Sequence, residues 1–184
     1  MQIDLNLWQQ RAEPQRPGRE WCWAASLAAV ARFQVDTLVT QETFVMTLFG
    51  NLETTLTPDW GTYSQLLRCL HEQGLEYHRQ QSGIRRLEFD CVLQPGFDAA
   101  LVLGCLQRGL PVITTIQGGA HDLVIVGVDL DGHTIGTVHY WNPADNGIGH
   151  MSLAGFLGFE VVATVAAVIT PVLEQIAFVS GGIL

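Results

Sequence analysis

The chain changes pattern at Gly109-Leu110-Pro111, and that change constrains its fold more than any other feature. Upstream, apolar residues recur at helical spacing, whereas downstream they form β-branched and alternating runs. Four helices are predicted before the change. The first covers Trp21–Phe33 and begins at or just before Cys22, where five alanines and a leucine follow in quick succession. The second covers Thr40–Phe49. The third covers Thr62–His71, with Thr62 as N-cap and Gly74 just past its end, and the fourth covers Phe97–Arg108, ended by Gly109. Four strands are predicted after it: Pro111–Ile116, His121–Leu130, His133–Trp141 and Val161–Thr170. Residues 1–20, with Pro14, Pro17 and Gly18, read as an irregular lead-in. Helices followed by sheet make an α+β fold.

The 184 residues are enough for one core, and a single domain over 1–172 is expected, helical over about 20–110 and sheet over about 111–172. Residues 173–184 read as a tail. With 48% hydrophobic and 15% charged residues the chain is not disordered. All nine basic residues are arginine, against eighteen acidic ones, and the net charge of −9 argues against a general grip on nucleic acid or anionic membrane. The most apolar stretch, Val161–Val172, is shorter than a bilayer span, and residues 1–20 lack the apolar run of a secretory signal, so a cytoplasmic protein is expected. Cys22, Cys69, Cys91 and Cys105 form no C-x-x-C pair, so neither a zinc knuckle nor a dithiol motif is present, and four free thiols are expected.

Cys22 is the first candidate for chemistry. At a helix N-terminus the dipole and the unsatisfied N–H groups favour thiolate, the reactive form. The competing reading makes Cys22 a small core residue, since free cysteine is among the most buried types. The second candidate pair lies on a hairpin. Asp131-Gly132 between two apolar runs predicts a two-residue turn. That register sets Leu130 opposite His133 and, further down the ladder, His121 opposite Asn142. An amide oxygen facing an imidazole fixes its tautomer, which is the role of the third member in a Cys-His-Asn arrangement. Read singly, His121 is an ordinary strand-end residue and Asn142 an ordinary turn residue. Asp145 stands in reserve for Asn142.

Three segments carry a resemblance: Trp21-Cys22-Trp23-Ala24-Ala25-Ser26, Gly119-Ala120-His121-Asp122-Leu123-Val124-Ile125-Val126-Gly127-Val128, and Trp141-Asn142-Pro143. In this order they resemble a papain-like cysteine peptidase, and best its compact bacterial branch, the C39 bacteriocin-processing peptidases and their relatives. The resemblance covers about residues 12–170. It implies a helical subdomain carrying Cys22, packed on an antiparallel sheet carrying His121 and Asn142, with the cleft between them. It implies that Gln15 helps hold the oxyanion, although Gln15 stands seven residues before Cys22 where the family has six, and Arg16 takes the usual place. Trp21, Trp23, Gly119 and Trp141 are the residues expected to border a bound peptide.

The activity implied is acyl transfer to water on peptide or isopeptide substrates, with no cofactor and no metal. A non-catalytic peptide-binding module and a transglutaminase-like amide transferase are the rival readings. His71, Glu72 and His78 lack zinc-protease spacing, and Asp129-x-Asp131-Gly132 lacks the rest of a calcium loop. The tail ends in Val179-Ser180-Gly181-Gly182-Ile183-Leu184, which looks like the end of a double-glycine leader peptide. Self-interaction through this tail is the corresponding expectation. The bland alternative is a C-terminus with two chance glycines.

Overall fold

A computed structural model describes residues 1–35, 37–53, 60–76, 84–117 and 120–173. The elements run α1 (Leu5–Arg11), α2 (Cys22–Gln34), α3 (Gln41–Phe49), α4 (Trp60–Gln73), β1 (Leu75–Glu76), β2 (Ile84–Pro95), α5 (Ala99–Gln107), β3 (Val112–Ile116), β4 (His121–Asp131), β5 (Thr134–Asn142), β6 (Gly147–Ser152), α6 (Leu153–Leu157) and β7 (Ala163–Leu173). The seven strands form one antiparallel sheet in the order β1-β2-β7-β3-β4-β5-β6. The fold is α+β, with helices mostly N-terminal and sheet mostly C-terminal. Among the described residues no helix is long and apolar enough to cross a membrane.

The core forms around α2, which is buried from Cys22 through Arg32. Its alanines let neighbouring elements approach closely, and it packs against α1, α3, β3, β4 and β7. All five residues of β3 are buried, so this central strand is covered on both faces. Where α2 ends, Gln34 takes over as a surrogate strand. Its Nε2 donates to the Ala167 carbonyl at 2.7 Å, and its Oε1 accepts from the Ile169 N–H at 2.9 Å. This satisfies β7 beyond the point where β3 stops pairing with it.

Four details depart from the sequence reading. The lead-in contains α1, capped by Asp4 and anchored by the fully buried Trp8. Residues Met1–Ile3 pair with β4 around Gly127, and a Cβ there would meet the Gln2 Cγ at 2.8 Å. Helix α4 starts at Trp60, so Thr62 lies in its first turn rather than capping it. Strands β1 and β2 fall inside the stretch read as helical. The signal was present in β2, where Leu87 and Phe89 are buried while Glu88 and Asp90 are exposed, an alternation of period two.

The hairpin register is the fourth departure. The loop is Gly132-His133, with Asp131 opposite Thr134 and Gly132 at a φ of +61°. Bulges on each strand follow and offset one another, so the ladder ends with Val124 opposite Trp141. Continued by one residue, Asn142 falls level with Leu123 rather than with His121. The net shift is two residues. Because side chains alternate, an even shift keeps His121 and Asn142 on one face as diagonal neighbours.

Candidate active site

Helix α2 carries Cys22 in its first turn. Its N-cap, Trp21, makes no side-chain capping bond, so the first N–H groups of the helix are not claimed by a cap. Cys22 is only 2% exposed. Burial pushes its thiol up to about 12, the Asp122 carboxylate adds to the rise, and the backbone groups of Asp122, Trp23 and Cys22 itself oppose it. Desolvation here outweighs the N–H groups of the helix terminus, which favours the neutral thiol at Cys22. The contact with the backbone of Asp122 sets Cys22 beside the first residues of β4, next in the chain to His121.

His121 opens β4 and Asn142 closes β5. The His121 Nε2 lies 2.9 Å from the Asn142 Oδ1. The contact expected from the sequence is thus formed, by a diagonal rather than a direct cross-strand pair. Asp145, the reserve candidate, bonds to Asn142 and not to the ring.

Gln15 is tied to the same corner by its backbone, whose N–H donates to the Pro143 carbonyl at 2.8 Å. Its side-chain Nε2 donates to the Arg19 carbonyl at 3.1 Å, and its Oε1 is buried without a hydrogen bond. The loop is held from the other side by Gln41 of α3, which accepts from the Arg16 N–H and donates to the Pro14 carbonyl.

The three tryptophans expected at the peptide are 1–2% exposed. Trp23 packs edge-on against Phe49 and Tyr63, Trp141 against Trp8, and the Arg19 guanidinium stacks over Trp21. All three belong to the hydrophobic core. The Trp141 indole donates to the Asn146 Oδ1 at 2.9 Å, which stiffens the turn after Asn142. Gly119 and the Gly181-Gly182 tail lie outside the described residues.

Sequence reasoning missed Asp122. It is 2% exposed, and burial raises its carboxyl from 3.8 to about 6, with the Thr115 and Tyr63 side chains favouring the anion. Its Oδ2 finds no hydrogen bond of good geometry. The Tyr63 phenol is pushed well above its ordinary value by burial first and by Asp122 next. The available signal was an acid at the head of a continuous apolar run, since a buried charge is the informative exception to burial rules.

A cavity of about 370 Å³ lined by His71, Glu72, Arg86, Glu88 and Asp90 includes none of these residues. The His121–Asn142 contact, rather than the size of a hollow, locates the candidate site. Among the described residues no cluster of His, Cys, Asp and Glu could hold a metal ion.

Residues 2–157 match the model of the Peptidase_C39 like family. No curated protein matches the chain.

Proposed function

The chain belongs to the Peptidase_C39 like family, and from that premise we propose that it is a cysteine peptidase in which Cys22 is the nucleophile, His121 the base and Asn142 the residue that orients the base. The observation that carries the reading is the 2.9 Å contact between His121 and Asn142, with Cys22 held against the backbone of Asp122.

Because the resting thiol is neutral, attack and proton transfer are coupled. His121 takes the thiol proton as the sulfur bonds to the substrate carbonyl carbon. The Cys22 N–H and the second N–H of the Gln15 amide, the one not given to Arg19, hold the oxyanion; losing one such donor costs about 10²–10³ in rate. The imidazolium then protonates the leaving amine as the C–N bond breaks. Water hydrolyses the thioester and restores the thiol. A substrate cut after Gly-Gly suits a site backed by Trp21 and Trp23, because glycine has no Cβ to clash. The chain's own Gly181-Gly182 is one such sequence.

The test is hydrolysis of peptides with and without a Gly-Gly sequence, followed by mass spectrometry, beside Cys22→Ala and His121→Ala. Each variant should lose about 10⁴-fold or more in kcat. Intact mass of fresh and aged protein reads cutting after Gly182. Turnover that survives in Cys22→Ala refutes the mechanism. A wild type that binds peptides without cutting them makes the domain a binding module instead.

A further inference from the structure

The Asn142 side chain is held by more than His121. Its Oδ1 also accepts from the Ala144 N–H at 3.1 Å, and its Nδ2 donates to the Asp145 Oδ2 at 3.2 Å. The other Asp145 oxygen accepts from the Gly147 N–H at 2.8 Å, so both carboxylate oxygens are used. A primary amide can exchange its oxygen and nitrogen by a half-turn, and its partners decide which way it stands. These partners leave no choice. A backbone N–H can only donate, and a carboxylate can only accept. Both demand that the Asn142 oxygen face His121. A ring nitrogen facing that oxygen must carry hydrogen, so neutral His121 is protonated at Nε2 and its lone pair is on Nδ1.

We propose that Asp145 is a positioning residue: by accepting from the Asn142 Nδ2 it holds the amide in the orientation that keeps the His121 proton on Nε2 and presents Nδ1 as the base. The bond is charge-assisted and so stronger than one to a neutral acceptor. The word base rests on the peptidase reading; the tautomer does not.

The test uses the full chain labelled with ¹⁵N-histidine. Long-range proton–nitrogen spectra read the tautomer of His121, assigned by the signal lost in His121→Gln. The wild type should show the Nε2–H form. Asp145→Ala removes the acceptor. Asp145→Asn keeps a side chain suited to the turn, but offers two opposing N–H donors one acceptor oxygen. In both variants the His121 signal should move toward a mixture of tautomers, and kcat should fall about 10-fold with KM little changed, the asparagine variant falling further. Thermal unfolding confirms that each is folded. An Nδ1–H signal in the wild type overturns the proposal without any variant. A wild-type tautomer retained in both variants overturns it as well, whatever the activity. A signal that responds in a protein without peptidase activity refutes the peptidase reading and leaves the orienting role of Asp145 standing.

Discussion

Replacing Asp122 with asparagine should stabilise the protein, and more so as pH rises. The native carboxyl titrates at about 6 against 3.8 for an ordinary aspartate, because burial disfavours the anion. Between those values the folded state binds a proton that the unfolded state has released. Stability is therefore highest below the unfolded value and is lost as pH climbs through the folded one. A shift of roughly two units corresponds to about 3 kcal/mol in all, about half of it lost between pH 5 and pH 7.5. Asparagine has nearly the same shape and no charge, and the Thr115 and Tyr63 side chains beside it can donate or accept. Urea unfolding at the two pH values should show an Asp122→Asn gain that is larger at pH 7.5 by about 1–2 kcal/mol. The same variant removes a negative charge facing Cys22, so alkylation of that thiol at fixed pH should be faster. A variant less stable than the wild type by the same amount at both pH values would refute the reasoning. It would make Asp122 a well-satisfied anion rather than a desolvated one.

Other consequences are equally direct. Alkylation of Cys22 by iodoacetamide in the unliganded protein should rise about tenfold per pH unit through pH 9, since burial holds the thiol near 12. A plateau between pH 5 and 8, with the modified residue mapped by mass, would instead show a preformed thiolate–imidazolium pair. Gly74→Ala should cost about 2 kcal/mol or more, because the residue sits at a φ of +70° and its new Cβ would lie 2.6 Å from the Leu87 carbonyl. Gly50→Ala has the same φ and open space around it, and should cost only about half as much in the same urea titration. Gln34→Ala strips two partners from the β7 edge and should cost about 2 kcal/mol, read as a lower urea midpoint with an unchanged slope.

The residues of the candidate site were legible because each stands at an element boundary with a local signature. Cys22 opens an alanine-rich helix, His121 opens an apolar strand, and Asn142 closes a strand before Pro143. The hairpin register was not legible. It depends on two bulges, at Val126 and Gly136, that tertiary pairing imposes and no dipeptide announces. The face survived the error because the two-residue shift preserved parity. Helix α1 was hidden by length: seven residues are too few to show a helical repeat, and its anchor, Trp8, is buried only because α2 and β5 lie across from it. The β2 alternation was readable, but the pairing of β2 with β7 joins residues some eighty positions apart and leaves no local trace.

Asp122 shows why the state of the thiol could not be read from the helix alone. A helix N-terminus and three backbone N–H groups favour thiolate, and in an open loop they would prevail. Here the same helix is buried from Cys22 through Arg32, and the strand it meets brings a carboxylate with it. Desolvation acts on the whole charge of the sulfur, whereas each N–H contributes a fraction of one, so burial wins. A nucleophile kept neutral at rest needs its base only when a carbonyl arrives, and the base must then be aimed correctly at once. In the proposed mechanism that requirement falls on the chain from His121 through Asn142 to Asp145, whose hydrogen bonds fix the amide orientation. The buried acid and the fixed amide therefore bear on one step. In the proposed mechanism the first holds the thiol proton in place, and the second determines which nitrogen receives it.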